Sequence, residues 1–232
     1  SIAVYGEGTY DFNPQWSLTF GARYTDEKKS ADVFNIGYTD ATFTTPSGVV
    51  AADFEDSVSF ENFSPKVSVD FQYDENTLYY FLASRGFKSG GFNIRAQATQ
   101  FPLSRLPFDD EKVTSYEVGA KYAFLDNRAF LNLAYFHNDY KDIQLSIFTS
   151  FDSDGDGQND AFFGDFTNAG AGTVTGVEAE YAMQFTENFS IQGYLAWLDA
   201  EYDEFISGGV DISDAQRFTN APEFSGSITG VW

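Results

Sequence analysis

Hydrophobic and polar residues alternate with a period of two along much of this chain. Successive side chains of a β-strand point to opposite faces, so such alternation predicts strands with one apolar and one polar face. The clearest run has its apolar positions at Trp16, Leu18, Phe20, Ala22 and Tyr24. Together with weaker runs, the pattern predicts about nine strands, at 4–12, 16–24, 66–73, 78–85, 115–124, 129–140, 177–185, 189–197 and 224–232.

The connections between these strands alternate between short and long. Tight polar turns are expected at 13–15, 74–76, 125–128 and 186–188, and long loops at 26–57, 86–111, 149–168 and 203–219. An outer-membrane barrel has short periplasmic turns and long extracellular loops, whereas a β-sandwich has no reason to gather its long loops at one end. The alternation therefore predicts long loops outside the cell and short turns in the periplasm.

The fold class expected is all-β: a partial antiparallel transmembrane β-barrel that occupies residues 1–232 as one domain. Single-chain bacterial barrels have an even number of strands, and an open sheet leaves unpaired edge groups in lipid, each costing several kcal/mol. An odd count of strands therefore predicts further strands that complete the barrel. Aromatic residues near the short turns would form a periplasmic-side girdle, namely Tyr10, Phe12, Trp16, Tyr73, Tyr122, Phe124, Phe185 and Phe189.

Composition and charge exclude several classes of function. Aromatic residues make up 19% of the chain, which favours strands over helices. A net charge of −22 would repel phosphate backbones, so no nucleic-acid partner is expected. The absence of cysteine excludes disulfides and thiolate metal sites. A mean hydropathy of −0.30 suits spanning strands, in which only alternate residues meet lipid.

Several blocks of sequence resemble the barrel of TonB-dependent receptors, and they follow the family's order over nearly the whole chain. The early blocks are Tyr5-Gly6-Glu7, residues 16–25 and the segment 84–93, which contains Gly86, Gly90 and Gly91. The later blocks are 115–121, 134–144, Asn168-Ala169-Gly170, 176–180 and Asn220-Ala221-Pro222. Each block alone is weak, but their order makes the resemblance specific.

The resemblance implies a barrel of about 22 strands around a plug, of which this chain would supply about nine strands and no plug domain. It further implies active import of a scarce nutrient, a ferric siderophore or related iron complex, energised through TonB. Outer-membrane lipid and lipopolysaccharide would be partners. A passive outer-membrane channel, an outer-membrane enzyme and a calcium-binding β-rich surface or adhesin protein stay open as alternatives at this point.

An acidic segment matches the first half of a calcium-binding loop. Its carboxylates at loop positions 1, 3, 5 and 9 are Asp152, Asp154, Asp156 and Asp160, with glycine at the sharp turn. Phe163 stands where a closing bidentate glutamate would be required, and Asp165 is a substitute ligand. The sequence thus leaves two readings, a structural calcium site of modest affinity or a plain acidic turn, and it predicts no other cofactor.

One basic and aromatic group is the candidate ligand-binding set near the outer mouth: Arg85, Phe87, Lys88, Phe92 and Arg95. Cationic side chains would attract an anionic ligand, and the rings could stack on it. Alternatively, Arg85 and Lys88 pair with lumen carboxylates such as Glu117 and Glu178, or hold lipopolysaccharide phosphates.

No catalytic residue is expected, so the chain is not predicted to be an enzyme. His137 is the single histidine, which excludes a Ser-His-Asp triad or multi-histidine metal site within this segment, and a packing or interfacial role is expected. Glu178 and Glu180 would share a wet strand face, without the protected pocket that a glycosidase acid requires.

Overall fold

The computed structural model describes residues 1–40, 42–152, 156–159 and 161–232, apart from the side chains at 149, 151, 161 and 163. Ten strands are present: β1 Ile2–Asn13, β2 Trp16–Tyr38, β3 Pro46–Asp74, β4 Thr77–Lys88, β5 Glu111–Phe124, β6 Ala129–Phe151, β7 Ala161–Thr186, β8 Phe189–Ser207, β9 Val210–Asp211 and β10 Phe224–Val231. Two short 3₁₀ turns lie at Pro102–Arg105 and Ser213–Ala215.

All strand pairs are antiparallel, and each long strand pairs with its neighbours in the chain. The order across the sheet is β1-β2-β3-β4-β5-β6-β7-β8-β10, with the two-residue β9 hairpinned against β8. The nine predicted strands are therefore confirmed, and β9 is an addition too short for a periodic pattern to reveal. The sheet is open, with β1 and β10 at its edges in the described residues.

The register places the apolar positions of all long strands on one face, called here the apolar face; the opposite side is the polar face. One row of directly opposed residues crosses nine strands: Tyr10, Leu18, Val69, Phe81, Val118, Tyr135, Val177, Trp197 and Phe224. The matching row on the polar face includes Ser17, Asp70, Tyr80, Gly119 and Glu178. Strands of a transmembrane barrel alternate in this way, because one face forms an apolar band against lipid and the other lines a polar lumen.

The apolar band ends at a definite level on strands β4 to β7. Ala83, Tyr116, His137 and Thr175 form one row of this face, and the next row towards the long loops is Arg85, Thr114, Asp139 and Thr173. Residues 116–124 of β5 then cover about nine positions, the length a tilted spanning strand needs. We take residues beyond the Arg85 row as lying outside the membrane.

The four tight turns are confirmed, and local side-chain caps hold three of them. Asn13 Oδ1 accepts the backbone N–H groups of Gln15 and Trp16 at 2.8 and 3.0 Å, and Asp74 Oδ1 accepts that of Asn76 at 2.9 Å. Thr186 Oγ1 accepts the N–H of Asn188 at 3.4 Å. In the fourth turn Leu125, Asp126 and Asn127 adopt left-handed φ values of 55–62°. Asparagine and aspartate tolerate such turns well.

Two of the predicted long loops are wrong over most of their length. Residues 26–38 continue β2 and 46–57 belong to β3, so these strands reach 23 and 29 residues and only 39–45 connect them. In the same way β6 extends to Phe151 and β7 begins at Ala161. One face of these extensions meets water, and the other meets water or a loop that folds back on it. Lipid therefore does not select for alternation there, and the periodic signal disappears.

The sheet is a single layer with little core of its own. No large side chain among the described residues is fully buried, and the one buried cluster consists of Val33, Ala52, Phe54 and Ala96. Among the described residues there is also no helix with the length and apolar character of a membrane span. The buried cluster lies beyond the apolar band, where a loop folds back on the sheet.

Candidate ligand-binding mouth

A long loop occupies the gap between two tall hairpins at the end of the sheet opposite the tight turns. Strands β4 and β5 stop at Lys88 and Glu111, whereas β2–β3 and β6–β7 continue well beyond that level. Residues 89–110 connect β4 to β5, and we call them the bridging loop. Gly91 and Phe108 close its base with two backbone hydrogen bonds of 3.0 and 2.8 Å.

The bridging loop packs first against the β2–β3 hairpin. Asn35 Nδ2 donates to the carbonyl oxygens of Ile94 and Ala96, both at 3.0 Å. Thr99 donates its backbone N–H to Ala51 O at 3.0 Å and its hydroxyl to Val50 O at 2.8 Å. Ala96 joins the buried cluster, so apolar burial and backbone hydrogen bonds act together at this contact.

The loop also contacts the β6–β7 hairpin on the other side of the gap. Asn93, which is 4% exposed, donates from Nδ2 to Asp165 Oδ1 at 3.0 Å. Arg95 Nη2 donates to Ser146 Oγ at 3.2 Å, and the rings of Phe108 and Phe166 meet edge to face at 4.9 Å. The bridging loop thereby ties together two hairpins that do not pair with each other in the sheet.

Gln144 holds the base of the bridging loop. Its side chain is 7% exposed, and Nε2 lies within hydrogen-bond distance of the carbonyl oxygens of Lys88, Ser89 and Asp109 at 3.1–3.2 Å. Its backbone N–H donates to Glu111 Oε2 at 2.9 Å. A buried amide that serves several backbone carbonyls is costly to replace, because those carbonyls lose their donor.

A cleft of about 680 Å³ separates the tip of β2–β3 from the bridging loop. Its walls include Phe34, Tyr38, Val50, Ile94 and Arg95, and no carboxylate lines it. Ligand sites commonly combine apolar walls with a few polar groups in this size range. In so acidic a chain, a cleft lined without carboxylates is suited to a neutral or anionic ligand.

The structure does not bring the five predicted ligand residues together. Arg85 and Phe87 continue the alternation of Tyr79 and Phe81, so both lie on the apolar face. Lys88 is on the polar face, 3.8 Å from Glu111 Oε2. The ring of Phe92 lies 6.5 Å from Phe54 beside the buried cluster, and Arg95 reaches Ser146.

The alternative pairing of Arg85 and Lys88 with Glu117 or Glu178 is wrong. Arg85 points to the opposite face, and the partner of Lys88 is Glu111. Glu117 instead accepts the phenol of Tyr80 at 2.6 Å, and Lys121 Nζ lies 5.6 Å from the Tyr80 ring. Glu180 accepts Asn132 Nδ2 at 3.3 Å, on a polar wall that offers no protected acid.

An aromatic patch that sequence patterns do not reveal lies on the polar face at the mouth. The connection between β9 and β10 folds Phe218 back onto Tyr202, with ring centroids 4.2 Å apart and planes 11° from parallel, and Tyr140 lies 6.4 Å away. Gly172 makes room, because a Cβ there would lie 2.8 Å from Phe218 Cζ. We call Tyr140, Tyr202 and Phe218 the aromatic patch. The alternation along β6 and β8 could have predicted that both tyrosines lie on the polar face. It could not have predicted the position of Phe218.

Both phenols of the aromatic patch stay protonated over a wide pH range. Burial raises the pKa of Tyr140 and of Tyr202, and the nearby Glu111 carboxylate raises both further. Neither hydroxyl donates to any residue that the structure describes. The patch therefore presents ring faces together with two neutral hydroxyl donors.

The predicted calcium loop is only partly within the described residues. Asp154 and Asp160 lie outside them. Asp152 accepts the backbone N–H groups of Asp156 and Gly157 at 3.3 and 2.6 Å, and Asp165 accepts Asn93. No group of three metal-binding side chains occurs among the residues described. Calcium binding here stays a prediction.

His137 lies at the upper edge of the apolar band, directly opposite Tyr116 and Thr175. Its Nδ1 is 3.0 Å from Thr175 Oγ1. This position is consistent with the interfacial role expected of it.

Comparison with known proteins identifies the sheet. The family model described as TonB dependent receptor-like, beta-barrel matches residues 1–232. The metal-pseudopaline receptor CntO of Pseudomonas aeruginosa strain UCBPP-PA14 is 25% identical over 236 residues, covering 100% of this chain and 28% of that protein. The same receptor from strain PAO1 is 28% identical over 170 residues, covering 73% of this chain and 20% of that protein.

Solved structures show the same fold. The ferric yersiniabactin uptake receptor FyuA of Yersinia pestis superposes with a TM-score of 0.72 at 21% identity, over 98% of this chain and 30% of that one. The siderophore receptor PiuA of Acinetobacter baumannii gives 0.69 at 18% identity, over 98% and 30% of the two chains. This chain thus spans less than a third of the length of each of these proteins.

The matching proteins are transport receptors and not enzymes, as the sequence predicted, and they are outer-membrane proteins. The apolar face is accordingly the lipid-facing surface, the polar face lines the lumen, and the tall hairpins point out of the cell. The chain belongs to the TonB-dependent receptor-like β-barrel family.

Proposed function

We propose that this chain forms part of the wall and outer mouth of a receptor that actively imports a metal chelate, energised through TonB. The chelate is a ferric siderophore or a related iron complex. The match of the entire chain to the family's barrel carries this proposal.

The names of the matching proteins support a metal chelate as cargo. They include a metal-pseudopaline receptor, a ferric yersiniabactin uptake receptor and a siderophore receptor. A copper transporter, OprC, also superposes, with a TM-score of 0.65 over 98% of this chain. The proposal therefore has two levels: the cargo is a metal chelate, and, more specifically, its metal is iron. None of these names describes a passive channel or an adhesin.

Two surfaces of the mouth would meet such a chelate. The aromatic patch offers ring faces and phenol donors on the lumen side, and the cleft beside Arg95 offers apolar walls without carboxylates. Flat organic ligands stack on such rings, and phenol hydroxyls donate to carboxylate or carbonyl oxygens. The chelate would be captured here by its organic part, because rings, apolar walls and phenol hydroxyls are the groups that these two surfaces present.

A transport assay in the native host tests the proposal. Cells that carry or lack the gene are given the same chelators loaded with radioactive iron, copper, nickel or zinc. We expect gene-dependent uptake of an iron chelate, lost when TonB or the proton gradient is removed. Gene-dependent uptake of another metal would overturn the iron part alone. Energy-independent uptake, or no gene-dependent uptake of any chelate, would overturn the receptor proposal.

A further inference from the structure

Three basic side chains form a patch on the lipid-facing surface, immediately beyond the apolar band. Arg85 is on β4, Lys112 on β5 and Lys141 on β6, and all three continue the alternation of the apolar face. Lys112 lies directly opposite Lys141, while Arg85 lies opposite Thr114, one step along the same face. Three neighbouring strands thus each present a cation at this level, with Asp139 beside them on the same face, in a chain with only 13 basic residues.

Lys112 and Lys141 each have one acidic partner and Arg85 has none among the described residues, so the cations outnumber their partners by one. Arg85 makes no hydrogen bond or ion pair with any residue that the structure describes. Lys112 lies 3.4 Å from Asp110 Oδ2, which has no hydrogen-bond partner, so this pair has charge contact without good hydrogen-bond geometry. Lys141 is 4.0 Å from Asp139 Oδ2, with its side chain 70% exposed.

Two like charges directly opposite each other destabilise a strand pair. Lys112 and Lys141 occupy such positions on β5 and β6. An anion between the two lysines would turn this repulsion into attraction, and Arg85 could add a bidentate contact to a phosphate.

The level of the patch narrows the identity of that anion. Below it are Tyr116 and Tyr135, the aromatic residues expected at a membrane interface, and below those the fully apolar rows. Arg85, Lys112 and Lys141 therefore lie at the depth of lipid headgroups on the cell-surface side. The anionic headgroups of the outer leaflet are the phosphates of lipopolysaccharide.

We propose that Arg85, Lys112 and Lys141 form a binding site for the phosphate groups of one lipopolysaccharide molecule. Its acyl chains lie along the apolar rows beneath, and one phosphate is shared between the two lysines. This assignment depends on the outer-membrane location and is independent of which chelate the receptor carries.

The test uses the intact receptor, extracted from outer membranes in mild detergent, with lipopolysaccharide per protein measured by mass spectrometry. The variant Arg85→Gln/Lys112→Gln/Lys141→Gln should retain about tenfold less lipopolysaccharide than the native protein, because basic side chains at a lipid surface attract its anionic headgroups. The control Arg23→Gln/Lys66→Gln/Lys121→Gln removes the same charge from the polar face and should retain the native amount. Equal retention in both variants, or equal loss in both, would overturn the site.

Two further measurements keep the outcome interpretable. Charge-conserving Arg85→Lys/Lys112→Arg/Lys141→Arg should restore retention, whereas failure to do so in a folded, heat-modifiable protein would contradict a phosphate site. Delipidated receptor should rebind native lipid A and not its dephosphorylated form, and millimolar inorganic phosphate should not displace it. Equal binding of both lipids would refute recognition of phosphate. Displacement by inorganic phosphate would show a simple anion site instead. Chelate uptake, measured separately, reports on the proposed function alone.

Discussion

The two ends of this sheet are built by different rules. At the periplasmic end, turns such as the one at Asn13 are capped by residues two or three positions away, and the strands follow strict alternation. At the outer end, Asn35 caps a segment 59–61 positions away and Gln144 one 55–56 positions away. The structure of the periplasmic end, which lipid constrains, therefore depends on contacts between residues close in the chain. The structure of the outer end, which would meet the ligand, depends on polar contacts between residues far apart in the chain.

The largest expected difference is between the lipid-facing band and the outer end, in how much an introduced charge lowers the free energy of unfolding. Leu133→Arg, opposite Ala120 and Ala179, places a cation in the middle of the apolar band and should lower the free energy of unfolding from bilayers by about 2–4 kcal/mol. Phe148→Arg at the β6–β7 hairpin, where Phe148 is 68% exposed, should change it by less than about 0.5 kcal/mol. Urea unfolding of the intact protein in lipid measures both. Similar costs would contradict the assignment of the apolar face to lipid.

A matched pair of glutamines tests how the mouth is held. Gln144→Leu removes the side-chain donor to the Lys88 and Ser89 carbonyls and one of two donors to that of Asp109, and should cost about 1–3 kcal/mol locally. Amide hydrogen exchange should accelerate across the bridging loop while the spanning strands stay protected.

The control for this variant is Gln184→Leu. Gln184 Nε2 donates to Thr186 O at 2.6 Å in a periplasmic turn, so only that turn should loosen. An unchanged bridging loop in Gln144→Leu would show that its contacts with the two hairpins suffice to hold it without this glutamine.

A tyrosine pair tests whether the aromatic patch binds the chelate. Tyr202→Ala removes the ring on which Phe218 stacks and should weaken chelate binding severalfold, since an aromatic pair contributes about 0.5–1.5 kcal/mol beyond its buried area. Tyr194→Ala, on the same polar face but deeper in the lumen, should leave affinity unchanged. Equilibrium binding to the intact receptor distinguishes them. If both variants bound the chelate with the same affinity, the binding surface would have to lie elsewhere in the mouth.

Acidification should loosen the outer end at one carboxylate. Asp211 accepts the backbone N–H groups of Phe205 and Ser213, both at 3.0 Å, and these hydrogen bonds lower its pKa. A lowered pKa means that the contribution to stability is complete above the ordinary carboxyl value of about 4 and is lost as pH falls through the folded value.

Intrinsic amide exchange at 205–213, corrected for its own pH dependence, should therefore be constant between about pH 7 and 5 and accelerate only below about pH 4. Asp211→Asn should abolish that acid-dependent step. A transition near neutral pH would contradict this assignment.

The smallest expected effect is that of calcium on the β6–β7 tip. If the four aspartates at 152, 154, 156 and 160 act as ligands, calcium should slow amide exchange there, and Asp152→Asn/Asp156→Asn should remove the response. Magnesium is the control ion, because it disfavours such flexible, high-coordination sites. The same exchange rates with and without calcium would show that this segment is an acidic turn without a calcium site.

The lipid-constrained end of the sheet can be predicted well from sequence, because each residue there is apolar or polar according to the face of the sheet on which it lies. The parity of Tyr79, Phe81 and Ala83 even assigns Arg85 to the lipid-facing side, although grouping it with Lys88 and Arg95 by proximity in the chain obscured this. The strand extensions after Asp26 could not be predicted, because lipid contacts neither of their faces and the bridging loop, distant in the chain, covers part of one face. Nor could the bridging loop or Phe218, since their places depend on partners far away in the chain.

The most direct test of the central claim is the reactivity of a cysteine introduced at the mouth, into a segment of 232 residues that has no cysteine of its own, with the receptor without this substitution as the labelling control. In intact cells, Arg217→Cys, adjacent to the aromatic patch, should react with an impermeant maleimide, and the ferric chelate that supports gene-dependent uptake should slow this reaction. Glu75→Cys, in a periplasmic turn, should stay unlabelled until the envelope is opened. Labelling of Arg217→Cys that requires permeabilisation, or that no transported chelate slows, would contradict an outward-facing chelate receptor.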